Sequence, residues 1–458
     1  MSKLIKRALF LMPRLSFMLL FCSGAALAHP LIVTTYTGAF SDGATYIIQV
    51  PSPWNGTLVL YSHGYVVAGS ANPAYDVGDP LTGDYLLSSG YALGGSSYST
   101  TGWAVQQALP DQIEVLNTFN KLVGTPTRTL AWGHSMGGII TAGLIQRYPS
   151  RFDGALPMCG VVAGGVGFWN LFLNTEVAFN TLFGAGSGLQ LVNITNPSGN
   201  LSIAENLLNN AQLTLQGQAR IALAAALGDV PGWYNPALPE PPPTDYTDRE
   251  YNQYLWLSAS QLVFGFDLRS ELEARAAGNF SWGTNVNFTN QLENSEDYNE
   301  VVALYQQAGL DLASDLQALQ AAGLVNANRP SVEYLGENII FNGKIQVPVL
   351  TLHTKGDGVV VNENESAYLA TVMAAGNAAL LQQLFVDRAG HCSFSSGETI
   401  VAFEALVNRL DSGAWEGLDP TDLNNAANAL GTEYNDYPPS YFTFQPDPFL
   451  RPFDWVNH

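Results

Sequence analysis

The sequence predicts an α/β protein with a mostly parallel sheet, helices on both faces, and a large, mainly helical cap inserted after the sixth strand. Three observations carry this. Apolar runs of strand length alternate with runs of helix length, which implies crossovers and hence a parallel sheet. A buried strand passes into a helix through the G-x-S-x-G turn Gly133-His134-Ser135-Met136-Gly137. After the strand-like run GALPMCGVV, from Gly154 to Val162, more than 180 residues (Ala163 to Gln346) pass before the next buried run. At 458 residues, 47% hydrophobic and 12% charged, the chain has the material for a large core.

In chain order, IVTTYTG, ATYIIQV and TLVLYS read as three strands between Ile32 and Ser62, separated by Ser41-Asp42-Gly43 and Trp54-Asn55-Gly56 turns. Tyr91 to Gly95 is a further strand and Asp111 to Leu122 a helix. Leu130 to Trp132 then enters the G-x-S-x-G turn, and Ile139 to Ile145 leaves it as a helix that stops near Arg147 and Pro149. The insertion reads as helical. S-x-x-E at Ser202 to Glu205 and T-x-x-E at Thr247 to Glu250 are expected capping boxes, and VVALYQQ and DLQALQ are amphipathic. PEPPPTDY, from Pro239, is a rigid extended connector. Aromatic residues including Phe168, Trp169, Tyr254, Trp256 and Phe264 crowd this segment; most are expected in its core, with a few lining a pocket at its underside. VPVLTLHT, from Val347, resumes the sheet, followed by a helix through Ala367 to Ala375, the strand QQLFVDR and a helix from Glu398 to Leu410. The end, from Tyr437, is rich in Pro and aromatic residues and is expected to pack as a strap with neither helix nor strand. The expected organisation is a leader at 1–28, a core at 29–162, the cap at 163–346, the second part of the core at 347–410 and the strap at 411–458.

The leader carries Lys3, Lys6, Arg7 and Arg14, then the apolar run LSFMLLF, then Ala26-Leu27-Ala28 before His29, the pattern of a cleaved signal peptide. No later window has the length and apolarity of a membrane span, so export without a membrane anchor is expected; Phe21 before Cys22 is too bulky for lipoprotein processing. Cleavage removes four of the 18 cations and none of the 39 acids, leaving 14 against 39 and moving the formal charge from −21 to −25. Such a field repels polyanions, which argues against nucleic acid and anionic lipid surfaces as partners. Two cysteines remain, Cys159 and Cys392, too far apart for a zinc-ribbon pattern, and no cluster has metal-ligand spacing, so neither a metal nor a cofactor is expected. In an oxidising compartment these two thiols form a candidate disulfide. Cys159 ends the strand after the G-x-S-x-G helix, and Cys392 lies on the loop after the last core strand.

A serine hydroxyl is a poor nucleophile, so it needs a sharp turn that presents it with small neighbours, and an imidazole to take its proton. Ser135 has the turn. Of six histidines, His29 and His458 lie at the mature ends, His63 follows a strand in H-G-Y, His134 is locked beside Ser135, and His353 is within a strand. His391 remains, in a Gly-containing loop after the last core strand. The imidazole needs a carboxylate, and Asp357, between two glycines just beyond VPVLTLHT, fits best; Asp387 in a strand and Glu363 at a helix start are the rivals.

Together G-H-S-M-G-G, H-G-Y, the H-T-K-G-D segment and A-G-H-C resemble the α/β-hydrolase superfamily, and more narrowly its capped, secreted bacterial serine hydrolases. The resemblance covers about residues 32–162 and 346–410. It implies the α/β-hydrolase fold, attack by Ser135 on an ester or amide carbonyl, proton transfer through His391 held by Asp357, and an acyl-enzyme. It also implies an oxyanion hole from the backbone N–H groups of Tyr65 and Met136. The expected activity is hydrolysis of a carboxylic ester of an uncharged or apolar small-molecule or polymeric substrate. An amidase or peptidase of the same fold is the alternative, and a non-catalytic binding protein a third reading, which an intact triad opposes.

Overall fold

The computed structural model describes residues 31–453. The expected leader, its cleavage site and Cys22 lie outside them. Among the described residues one sheet contains β1 (Ile32–Ala39), β2 (Thr45–Ser52), β3 (Thr57–Ser62), β4 (Ala92–Ser96), β5 (Arg128–His134), β6 (Gly154–Met158), β7 (Val349–Gly356), β8 (Leu381–Ala389) and β9 (Tyr441–Phe442). The spatial order is β1-β2-β4-β3-β5-β6-β7-β8-β9. From β4 to β8 neighbours are parallel; the antiparallel pairs lie at the two edges.

Period-two alternation explains why strands this apolar suit a sheet covered on both faces. Leu58 and Leu60 of β3 join the core under the helices Val105–Leu122 and Met136–Arg147. Val59 and Tyr61 point the other way, toward Leu86 of the helix Pro80–Ser88 and Phe403 and Leu406 of the helix Ser396–Ser412. Between β6 and β7 the described chain is helical from Gly165–Phe183 to Arg329–Glu337 and contains no strand. It has apolar clusters of its own, one around Leu223, Val301, Tyr305 and Leu319. Phe168, Trp169, Phe280 and Leu335 instead belong to the core that continues beneath the sheet.

Several local expectations are corrected. Ser202 is internal to the helix Pro197–Ala211, its hydroxyl bonded to the Ser198 carbonyl; the N-cap is Asn196, which accepts from the Gly199 N–H ahead of Pro197. Thr247 likewise falls inside Tyr246–Trp256, capped by Asp245. An Asn-Pro or Asp start outranks a downstream S/T-x-x-E because it caps first and the helix is then already propagating. A capping box forms instead at Ser395 and Glu398. The helix expected from Asp111 begins at Val105 and keeps Pro110 in its second turn, where one carbonyl bond is lost. The helix Pro80–Ser88 was not anticipated, and β6 stops at Met158, short of Val162. The end of the chain is not free of regular structure: Pro420–Ala429 is helical, and Tyr441–Phe442 adds an antiparallel edge to β8, bonded through Val386 and Phe385.

Candidate active site

Ser135 joins β5 to the helix Met136–Arg147 at φ 60° and ψ −124°, a conformation that L-residues rarely hold. Its surroundings demand glycine. A Cβ on Gly137 would stand 1.9 Å from the Ser62 carbonyl oxygen, and one on Gly133 2.4 Å from the same atom. The turn can therefore close only where both side chains are missing, which leaves the Ser135 hydroxyl at the carboxyl end of the parallel strands.

Three of the expected residues converge. His391 Nε2 lies 2.8 Å from Ser135 Oγ, and His391 Nδ1 lies 2.7 Å from Asp357 Oδ2. With Nδ1–H donated to the carboxylate, Nε2 is left to accept the serine proton. Asp357 Oδ1 accepts from the backbone N–H groups of Val359 (2.9 Å) and Val360 (3.0 Å), so both oxygens are held. Burial pushes the Asp357 pKa up, but the charge of His391 and the nearby His353 ring, 3.6 Å away, outweigh it and hold it at about 2. The carboxylate is ionised at neutral pH.

The rivals sit elsewhere. Asp387 points outward on β8, its N–H donating to the Ser440 carbonyl. Glu363 opens the helix Glu363–Ala374 and is buried beside Asp229, whose charge adds to burial in raising its pKa. The other central histidines are structural. The His63 ring stacks on Tyr98 at 4.0 Å with its nitrogens against the Gly64 and Ser97 carbonyls, anchoring the H-G-Y loop. His134 turns away to the Tyr61 hydroxyl, 3.2 Å from Nδ1. Gly64 approaches so closely that an added Cβ would lie 3.3 Å from Ser135 Cβ, which brings the H-G-Y loop against Ser135. Neither the Tyr65 nor the Met136 N–H donates to a protein acceptor among the described residues.

Cys159 and Cys392 are joined in a disulfide with their Cα atoms 5.3 Å apart. Both cysteines and His391 bring ligand atoms within 4.8 Å of one another. The sulfurs are bonded to each other, and metals bind thiolates, so this group does not read as a metal site.

Other neighbours were not legible as site residues. Arg388 forms a two-pronged ion pair with Glu398 at 2.6 and 3.0 Å and donates to the Ser393 carbonyl, bracing the loop that bears His391. From the insertion, Gln261 Nε2 donates to the Gly358 carbonyl at 2.6 Å, and Trp256 packs so tightly on Gly358 that an added Cβ would lie 2.3 Å from its ring. Phe264 meets the Tyr65 ring edge-on at 5.7 Å. These contacts come from the helix end at Trp256 and the π-helical turns Leu257–Gln261 and Phe264–Leu268. Irregular helix of this kind recurs at functional sites.

Serine follows β5, the acid β7 and the histidine β8, on a sheet with strand order 1-2-4-3-5-6-7-8. The chain has the α/β-hydrolase fold. No protein-family model matches it. The chain is 29% identical over 431 residues to an o-phthalyl amidase from Xanthobacter agilis, covering 87% of this chain and 92% of that one. Among solved structures it is similar to the rice cell wall degrading esterase LipA from Xanthomonas oryzae, at 16% identity and TM-score 0.37 over 83% of this chain and 90% of that one. An esterase from Aspergillus oryzae gives 15% and 0.41 over 84% and 81%.

Proposed function

We propose that this protein is an exported serine hydrolase that cleaves a carboxylic ester of an uncharged or apolar substrate through an acyl-enzyme. The observation that carries the reading is the unbroken hydrogen-bonded chain from Ser135 through His391 to Asp357. In the first half-reaction, Ser135 Oγ attacks the carbonyl carbon while its proton passes to His391 Nε2. The developing oxyanion takes the N–H groups of Tyr65 and Met136. Collapse expels the leaving group, which receives the proton from His391. Water then repeats the sequence on the acyl-enzyme, releasing the acid and restoring Ser135. The insertion roofs this site and sets substrate choice, a reading supported by the contacts of Phe264 with Tyr65 and of Gln261 with Gly358. Export is supported by the leader-like first 28 residues and by the disulfide; no helix of the described residues is long and apolar enough to cross a membrane.

One observation favours the second reading, an amidase: the similarity to an o-phthalyl amidase runs through the insertion as well as the sheet. The deciding experiment is a matched series of esters and amides with the same apolar and aromatic acyl groups, a phthalyl pair included. Ester turnover with amides untouched supports the first reading. Amide turnover at comparable kcat/KM supports the second, and inertness toward all of them overturns both.

A further inference from the structure

A second imidazole stands behind Asp357. His353 lies fully buried in β7, with Nε2 3.6 Å from the same Asp357 Oδ2 that receives His391. Its Nε2–H donates to the Val360 carbonyl at 2.7 Å, and its Nδ1 faces Glu365 Oε1 at 3.0 Å. Glu365, also fully buried, accepts at Oε2 from the Thr351 hydroxyl (2.6 Å) and the Gln383 amide (2.7 Å). Each nitrogen of the His353 ring therefore faces only acceptor oxygens, an arrangement that both N–H groups of an imidazolium satisfy and a neutral ring leaves half unmade.

We propose that His353 is a positioning residue for the reaction: an imidazolium clamped between Glu365 and Asp357 that orients the acid and tunes the basicity of His391 through it. This rests on the hydrolase reading of Ser135, His391 and Asp357. Two mechanical links support it. His353 ties down the Val360 carbonyl while Asp357 Oδ1 takes the Val360 N–H, so the ring closes the turn that carries the acid. Its cationic charge lies 3.6 Å from the same Asp357 oxygen that faces His391 Nδ1, where it offsets part of the carboxylate's field on His391. Burial alone would lower the His353 pKa, but the nearby Asp357 carboxylate and the hydrogen bond and charge of Glu365 override it and raise it to about 10. The ionisable groups facing this ring are Asp357 from the loop after β7 and Glu365 from the helix Glu363–Ala374, with His391 beyond Asp357 and Tyr368 beside Glu365; Thr351 and Gln383 are neutral.

The test has two arms on the full chain. In protein labelled with ¹⁵N-histidine, the His353 ring, assigned by its loss in His353→Gln, should show both nitrogens protonated at pH 8.5; a neutral tautomer overturns the proposal whatever the enzyme's activity. In kinetics, His353→Gln should lower kcat and move the acid limb of kcat/KM to higher pH, because a cation beside the Asp357–His391 pair is lost. Glu365→Gln serves if the first variant fails to fold: without the anion that faces Nδ1, the His353 ring should lose its second proton at pH 8.5, and a ring still doubly protonated would overturn the clamp. A folded variant with lower kcat but an unmoved limb would mean a purely structural ring and overturn the tuning role. Ser135→Ala is the separate control: if it retains turnover, the hydrolase assignment fails, while the nitrogen measurement still judges His353.

Discussion

Cys392 Sγ lies 3.5 Å from Nε2 of His391, the ring nitrogen that faces Ser135. Its bond to Cys159 ties the His391 loop to the tip of β6, next to β5, the strand that ends at Ser135. The sequence separation is 233 residues, so loop-closure entropy alone assigns this bond up to about 5 kcal/mol. We expect Cys159→Ser/Cys392→Ser to melt well below the parent and to lose activity even where it remains folded. Alkylation without reductant followed by mass spectrometry checks the bond, and melting and kinetics on the same samples check its role. Unchanged kcat in the folded variant would show that the loop holds His391 without it.

Ser135→Ala should remove turnover while leaving melting nearly unchanged, since among the described residues the hydroxyl's hydrogen-bond partner is His391. Asp357→Asn should lower kcat by about 10⁴-fold, because an amide facing Nδ1 favours the wrong tautomer. Retained activity in either variant would return the assignment to open question, with Asp387 and Glu363 as the remaining acids.

Arg388→Ala should destabilise the protein by about 3–5 kcal/mol, as it strands the fully buried Glu398 without its partner. Arg388 also holds the carbonyls of Ser393 and Pro438, so the loss should loosen the His391 loop and the chain end together. Denaturant melts give the first effect. Faster hydrogen exchange in residues 390–395 and 437–442 reports the second.

Glu250 is buried in the insertion with one hydrogen-bond donor, Gln212, and its second oxygen unpartnered; burial pushes its pKa from 4.5 to about 8. The folded state thus holds a proton that the unfolded state releases above 4.5. This contribution to stability is full below pH 4.5, declines as pH rises, and is gone above about 8. Glu250→Gln should flatten the fall in Tm between pH 5 and 8 and raise Tm by several degrees at pH 8. A variant with the parent's pH dependence would place the titration elsewhere.

What the sequence by itself determined is what local chemistry encodes. Gly133 and Gly137 around Ser135 announce a turn that only missing side chains permit, and strands with an unbroken apolar centre, such as Leu58-Val59-Leu60 in TLVLYS, announce a sheet covered on both sides. The order of Ser135, Asp357 and His391, each just after a core strand, narrowed the choice of acid and base. Tertiary structure decided what depends on distant partners. Ser202 and Thr247 match a cap pattern, yet Asn196 and Asp245 start those helices first. Tyr441–Phe442 is too short to read as a strand until β8 offers its edge. His353 looks like any polar residue in a strand, and Glu365 like any acid on a helix. Only the packing of that helix on β7 brings the two carboxylates to opposite sides of one ring, because a contact between separate elements is set by the pairing of their faces rather than by any pattern along the chain.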